Sequence, residues 1–255
     1  MTAPLRAERV LTRRSLTHAL RNADSMVTAV VAPVAVMLLF VTVFGSAVEG
    51  VTGGSYVDYV TPGVMLLCAG FSAAMTATAV HADLSRGVVQ RLRTMPVRAS
   101  AVVTGHVAAS VVRNLVSTLV VLLVAVALGF RPEAGPLEWL GALALLAGYV
   151  VVLTMVVAAW GLASRSADTA ATFAFVALFL PYLSTAFVPV ESLPPFLRGL
   201  AKHQPVTPAI ETLRALTSGE PVGGQAWTAA LWLCGLGTAA ALLTGWLFRR
   251  AAGRR

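Results

Sequence analysis

Phe175, Phe179 and Tyr182 recur at i, i+4 and i+7 of an uncharged stretch, beside Pro181. Three rings on one helical face offer stacking and shape to a planar, apolar molecule. Such a stripe more often meets lipid or another helix. Arg113 is the second conspicuous residue, about a dozen positions into a long apolar stretch. A guanidinium there either snorkels to the aqueous boundary or is buried in a packing or transport role. Catalytic sets are missing. His18, His81, His106 and His203 lack ligand spacing, so no metal site is expected. Cys68 and Cys234 lie in apolar stretches and read as small packing residues. Asp58, Asp83 and Asp168 stand at the ends of such stretches, so no buried carboxylate pair suggests an enzyme or a proton-coupled carrier. Lys202, the sole lysine, is followed by His203, which rules out a glycine-rich phosphate loop ending in Lys and Ser or Thr. Any ATP hydrolysis must therefore come from another chain.

The elements that position these residues are six apolar runs: Met26–Val48, Tyr59–Ala82, Ala101–Phe130, Trp139–Ser164, Thr169–Val190 and Ala226–Phe248. Five carry no Asp, Glu, Lys or Arg, and the third carries only Arg113. A hydrocarbon core about 30 Å thick needs roughly 20 helical residues, and each run is long enough. The expected fold is an all-α membrane protein of a single domain, 1–255, with spans near 26–48, 59–82, 104–128, 139–163, 169–189 and 226–248.

Charge orients the spans. With the N-terminus inside and spans alternating, fourteen of the 19 basic residues fall in inner segments and four in outer ones. Short inner loops are the basic ones in membrane proteins, so both termini are expected in the cytoplasm. The net charge of +8 is then a signal of orientation rather than of a nucleic-acid partner.

The polar segments carry the specific information. Residues 5–24 read as an amphipathic helix on the inner membrane surface, or as a solvated tail that only sets topology. In 83–98, Val88, Val89, Leu92 and Met95 recur at helical spacing, while Arg91, Arg93 and Arg98 project elsewhere. Pro96 would end this helix. An apolar ridge held close to the membrane suits a groove on a cytoplasmic partner; the plainer reading is a connector whose arginines meet phosphates. Between Val190 and Gln225 two short apolar pieces stand out. In the second, Thr207 is expected to cap a helix, Pro208 to open it and Gly219 to end it. Pieces this short can dip into the membrane and return, so an outer re-entrant hairpin at 191–220 is expected.

Two motifs give the chain a family likeness. One is Arg86-Gly87-x-x-Gln90-Arg91-Leu92-x-x-x-Pro96, followed by Gly105. The other is Phe187-x-Pro189-x-x-x-Leu193-Pro194-x-x-Leu197, then Gln204-Pro205-x-Thr207-Pro208-x-x-Glu211-x-x-Arg214-x-Leu216-x-x-Gly219. Across essentially its whole length the chain resembles a type-2 ABC exporter permease of the daunorubicin-resistance kind. Gln90 and Val88 depart from the Glu and Thr that many relatives carry. The resemblance implies ATPase coupling through Arg86, Gly87, Gln90, Arg91, Leu92 and Pro96. It implies an outer hairpin built on Pro189, Leu193, Pro194, Pro205, Thr207, Pro208, Glu211 and Arg214. It further implies a second permease copy, two ATP-binding cassette subunits that hold ATP and Mg, and a bacterial cytoplasmic membrane. Export of a hydrophobic or amphipathic drug follows as the expected function, with Phe175, Phe179 and Tyr182 on the path. The alternative cargoes are a lipid, a polysaccharide or an ion.

Overall fold

A computed structural model describes residues 23–52, 54–85 and 100–253. The surface helix expected at 5–24 lies outside them except for its last two residues. Of the segment 83–98, only Asp83–Ser85 is described, as the final turn of a long helix. Arg86, Gly87, Gln90, Arg91, Leu92 and Pro96 all lie outside.

Regular structure among the described residues is helical. The first run forms α1 (Ala23–Leu39), a wider π-type turn at Phe40–Phe44, and α2 (Gly45–Thr52). There follow α3 (Tyr56–Ser85), α4 (Ser100–Ala127) and α5 (Pro136–Ala163). Next come α6 (Ala167–Phe179), α7 (Pro195–His203), α8 (Val206–Thr217) and α9 (Gln225–Gly253). Five helical stretches are long and apolar enough to cross a bilayer: Met26–Gly50, Tyr56–Asp83, Thr104–Ala127, Pro136–Ala163 and Gln225–Leu247.

The fifth run differs from its expected single helix. The Ser166 hydroxyl caps α6 by accepting from the Thr169 N–H at 3.2 Å. The helix then tightens to a 3₁₀ turn at Leu180–Leu183 and leaves helical geometry at Ser184, whose backbone is extended. Pro181 lacks an amide proton, and its carbonyl accepts from both the Ser184 N–H, at 3.1 Å, and the Ser184 hydroxyl. The α-helical part is thus thirteen residues, shorter than the five long stretches.

Helix α3 is the centre of the bundle, packed against α1, α4, α5 and α6. Most of it is buried, whereas α1 and α9 are largely exposed. Small residues make this possible. Ala69, Ser72, Ala73, Thr76 and Ala77 are all fully or nearly buried and let neighbouring backbones approach. The main core joins Val60, Val64, Leu66 and Leu67 of α3 to Val121 of α4, Leu146 and Val150 of α5, and Ile210 and Leu213 of α8. On the periphery Val31, Leu119, Leu140, Trp227, Leu231 and Leu242 are exposed. An apolar belt of this extent is what a lipid-facing surface requires.

Candidate functional site

At the end of the bundle where α3 begins, the chain between Ser184 and Pro189 runs without helical hydrogen bonds. Its carbonyls are taken by side chains instead. Tyr56 and Tyr59, in the first turn of α3, donate their hydroxyls to the Phe187 and Thr185 carbonyls, each at 3.0 Å. Arg214 of α8 donates to the Thr185 carbonyl at 2.8 Å and to the Tyr59 carbonyl at 3.1 Å. Gln204, between α7 and α8, donates to the Leu183 carbonyl at 2.6 Å. The Arg214 guanidinium also lies 3.9 Å from the centre of the Tyr59 ring and 2.9 Å from the Glu211 carboxylate. One arginine therefore ties three elements together through charge-assisted hydrogen bonds, stronger than neutral ones.

Glycine makes the close contact possible. A Cβ at Gly63 would stand 2.7 Å from Ala186 Cβ and 2.8 Å from its Cα. The strap therefore lies directly on the backbone of α3.

The other hairpin residues build the frame. Pro189 precedes a 3₁₀ turn at Val190–Ser192 and accepts from the Ser192 N–H at 3.0 Å. The Leu193 carbonyl accepts from Arg198 Nε at 2.8 Å, and the Pro194 carbonyl from the Leu197 N–H at 2.9 Å. Pro205 leads into α8. Thr207 does not cap it: the helix begins one residue earlier, and the buried Thr207 hydroxyl donates to the Ala201 carbonyl, stapling α7 to α8. Pro208 accordingly sits third in the helix, buried, rather than at its start. Gly219 does end α8. Its φ of +68° favours glycine, and the Glu220 N–H reaches back to the Ala215 carbonyl at 3.0 Å.

The rings form a ladder. Phe179 lies 5.8 Å from Tyr182 between ring centres, and Tyr182 is stacked 5.1 Å from Phe187. Phe187 stacks on Phe40 of the first run at 4.1 Å, and Phe40 lies 5.3 Å from Phe44. Both ends are open, with Phe179 58% and Phe44 44% exposed, while Phe187 in the middle is buried. Phe175 stands one turn below Phe179 on α6, also exposed. Chemically this is an extended π surface at the edge of an irregular backbone, suited to sliding contact with flat apolar groups.

The structure thus joins Glu211 and Arg214 to the strap, and Phe179 and Tyr182 to a ladder. Tyr56, Tyr59, Phe40 and Phe44 were not singled out from the sequence, and Gln204 entered only as a motif position. Phe40 and Phe44 stand four apart in the first run, and the two tyrosines stand just before and at the start of the second, where aromatic residues mark membrane boundaries. Those were the available signals.

Comparison with known proteins agrees with this architecture. Residues 6–217 match the family described as ABC-2 type transporter. The chain is 28% identical over 244 residues to the probable doxorubicin resistance ABC transporter permease protein DrrC of Mycobacterium tuberculosis, in strains CDC 1551 / Oshkosh and H37Rv. That match covers 94% of this chain and 87% of the relative. It is 27% identical over 228 residues to the daunorubicin resistance ABC transporter permease protein DrrB1 of Streptomyces coeruleorubidus, covering 88% and 79% respectively. The family match spans most of the chain, and the apolar helices are those of a multi-pass membrane protein. The chain belongs to the ABC-2 type transporter family, as a transport permease.

Proposed function

We propose that this permease exports a hydrophobic or amphipathic drug, powered by a separate ATP-binding subunit. The ring ladder carries the reading. It runs from Phe179 to Phe44 across two runs that are far apart in sequence, with exposed rings at both ends. A hydrated ion would need fixed charge or polar groups along its path. The exposed residues beside the ladder include Phe175, Val176 and Val43, none of them charged. The names of the relatives, which concern doxorubicin and daunorubicin resistance, point the same way.

The rest of the reading follows from the family and the sequence. Two permease copies work with two ATP-binding cassette subunits, which hold ATP and Mg. The spans cross the bacterial cytoplasmic membrane six times with both termini inside. Thirteen residues of α6 and four of the 3₁₀ turn rise roughly 27 Å, close to a hydrocarbon core. The hairpin α7–α8 dips into the outer leaflet, its α8 backbone covered by α3, α5 and α9. Arg86, Gly87, Gln90, Arg91, Leu92 and Pro96 transmit the ATPase cycle.

The test is a resistance panel. Phe179→Ala and Tyr182→Ala should change resistance unequally across planar and non-planar hydrophobic drugs at normal expression. If no drug responds while lipid or surface-glycan export fails, the cargo reading is wrong.

A further inference from the structure

Arg113 is the only Asp, Glu, Lys or Arg within the six apolar runs. It is the fourteenth of the 28 residues of α4, so it lies near mid-membrane, and its side chain faces the middle of α3. The residue is only 8% exposed, so it does not snorkel. Its grip is poor. Nη2 stands 3.5 Å from the Ser72 carbonyl and 3.4 Å from Thr76 Oγ1, both beyond ordinary N–H···O lengths. Its Nε, the Ser72 hydroxyl and the Asn114 amide nitrogen are buried without a hydrogen-bond partner. Ser72 and Asn114 are fully buried. Ion pairs among the described residues join Asp83 to His106 and Glu211 to Arg214, and no carboxylate reaches Arg113.

A guanidinium keeps its proton, so the positive charge must be met where it stands. The unpartnered groups are mostly donors, and what they need is an acceptor. A water molecule would relieve the hydrogen bonds but leave the charge uncompensated at a depth where charge is expensive. Burial within one protomer keeps out a lipid phosphate or a bulky cargo. It also keeps out a second copy, because α1 closes the far side, with Ser117 of α4 bonded to the Ala29 carbonyl one turn along.

We infer that Arg113 and Ser72 form a binding site for a small inorganic anion, chloride, in the seam between α3 and α4. The ion neutralises the guanidinium and bridges the two helices, so its occupancy sets how firmly the seam holds.

The experiment is thermal unfolding of the full chain in neutral phosphatidylcholine nanodiscs over a sodium chloride series, with sodium gluconate holding ionic strength constant. A ligand that binds only the folded state raises the midpoint as its concentration rises. The wild type should show a chloride-specific rise, with bromide replacing chloride. Arg113→Gln should lose it. Ser72→Ala should need roughly tenfold more chloride for the same rise, having lost one bond to a charged ligand. Should Arg113→Gln fail to fold, Ser72→Ala and the anomalous signal of bromide beside Arg113 in wild-type crystals decide the matter. Identical midpoints in chloride and gluconate would mean water alone fills the site. A rise that persists in Arg113→Gln, or that follows anionic lipid rather than chloride, would equally overturn the assignment.

Discussion

Arg214 holds the strap through the backbone carbonyls of Thr185 and Tyr59, acceptors that a substitution at either residue would leave in place. Hydrogen bonds to a charged group are worth about 1.5–3 kcal/mol each. Arg214→Gln should therefore cost about 2–3 kcal/mol and speed amide hydrogen exchange across Thr185–Phe187, as mass spectrometry would read. Arg214→Lys should not restore protection, because an ammonium cannot span both carbonyls as a planar fork does. Unchanged exchange in both variants would mean that the tyrosines alone suffice. Gly63 gives a second test at this scale. Gly63→Ala forces a methyl group into Ala186, and overpacking of this kind costs about 1–3 kcal/mol. Gly199→Ala, where nothing lies within 4 Å, should be neutral or stabilising by roughly 0.5–1 kcal/mol. The two thermal midpoints should move in opposite directions, or one should stay fixed.

At the scale of elements, how much the sequence disclosed depended on whether the information was local. The long helices were legible because apolar composition over a window is a local property, and Gly219 was legible because a helix exit is too. Thr207 was misread as a cap because its hydroxyl is claimed by Ala201, a partner in the preceding helix. The break of the fifth run at Ser184 was visible only as Pro181. That the backbone leaves the helix altogether depends on Tyr56, Tyr59 and Arg214, which stand 131 and 126 residues before and 29 after the carbonyls they bind. The ladder was half legible: Phe175, Phe179 and Tyr182 follow the helical period, but Phe187 and Phe40 meet only once the first and fifth runs are side by side. The fate of Arg113 hinged on helix packing, which no period reveals. At the opposite end of the bundle, Asp83 and His106 join the end of α3 to the second turn of α4 at 2.9 Å, so the segment between them starts and returns at a fixed place. This supports a coupling role for it. Leu92→Asp should leave membrane insertion intact and abolish drug-stimulated ATPase activity of the assembled transporter. Full stimulation in that variant would reduce the segment to a connector.

For the whole molecule, the pattern is a buried central helix, exposed flanking helices and an irregular strap beside a wall of rings. On the proposed topology the ATP-binding subunit acts from the inner face, whereas the ladder and strap stand at the outer end. Energy must therefore cross the bundle, and α3 is the element in contact with both the strap and α4. Affinity for cargo at the ladder should come mainly from apolar burial, about 25 cal/mol per Å². Flux, not binding, is the decisive quantity. The permease should be reconstituted with its ATP-binding partner in liposomes and the movement of a fluorescent planar drug followed with and without ATP. ATP should drive accumulation of the drug on the side that corresponds to the cell exterior, and Phe179→Ala/Tyr182→Ala should slow it several-fold while basal ATP hydrolysis continues. A drug distribution that ATP leaves unchanged, in vesicles where the partner hydrolyses ATP, would contradict drug export by this chain.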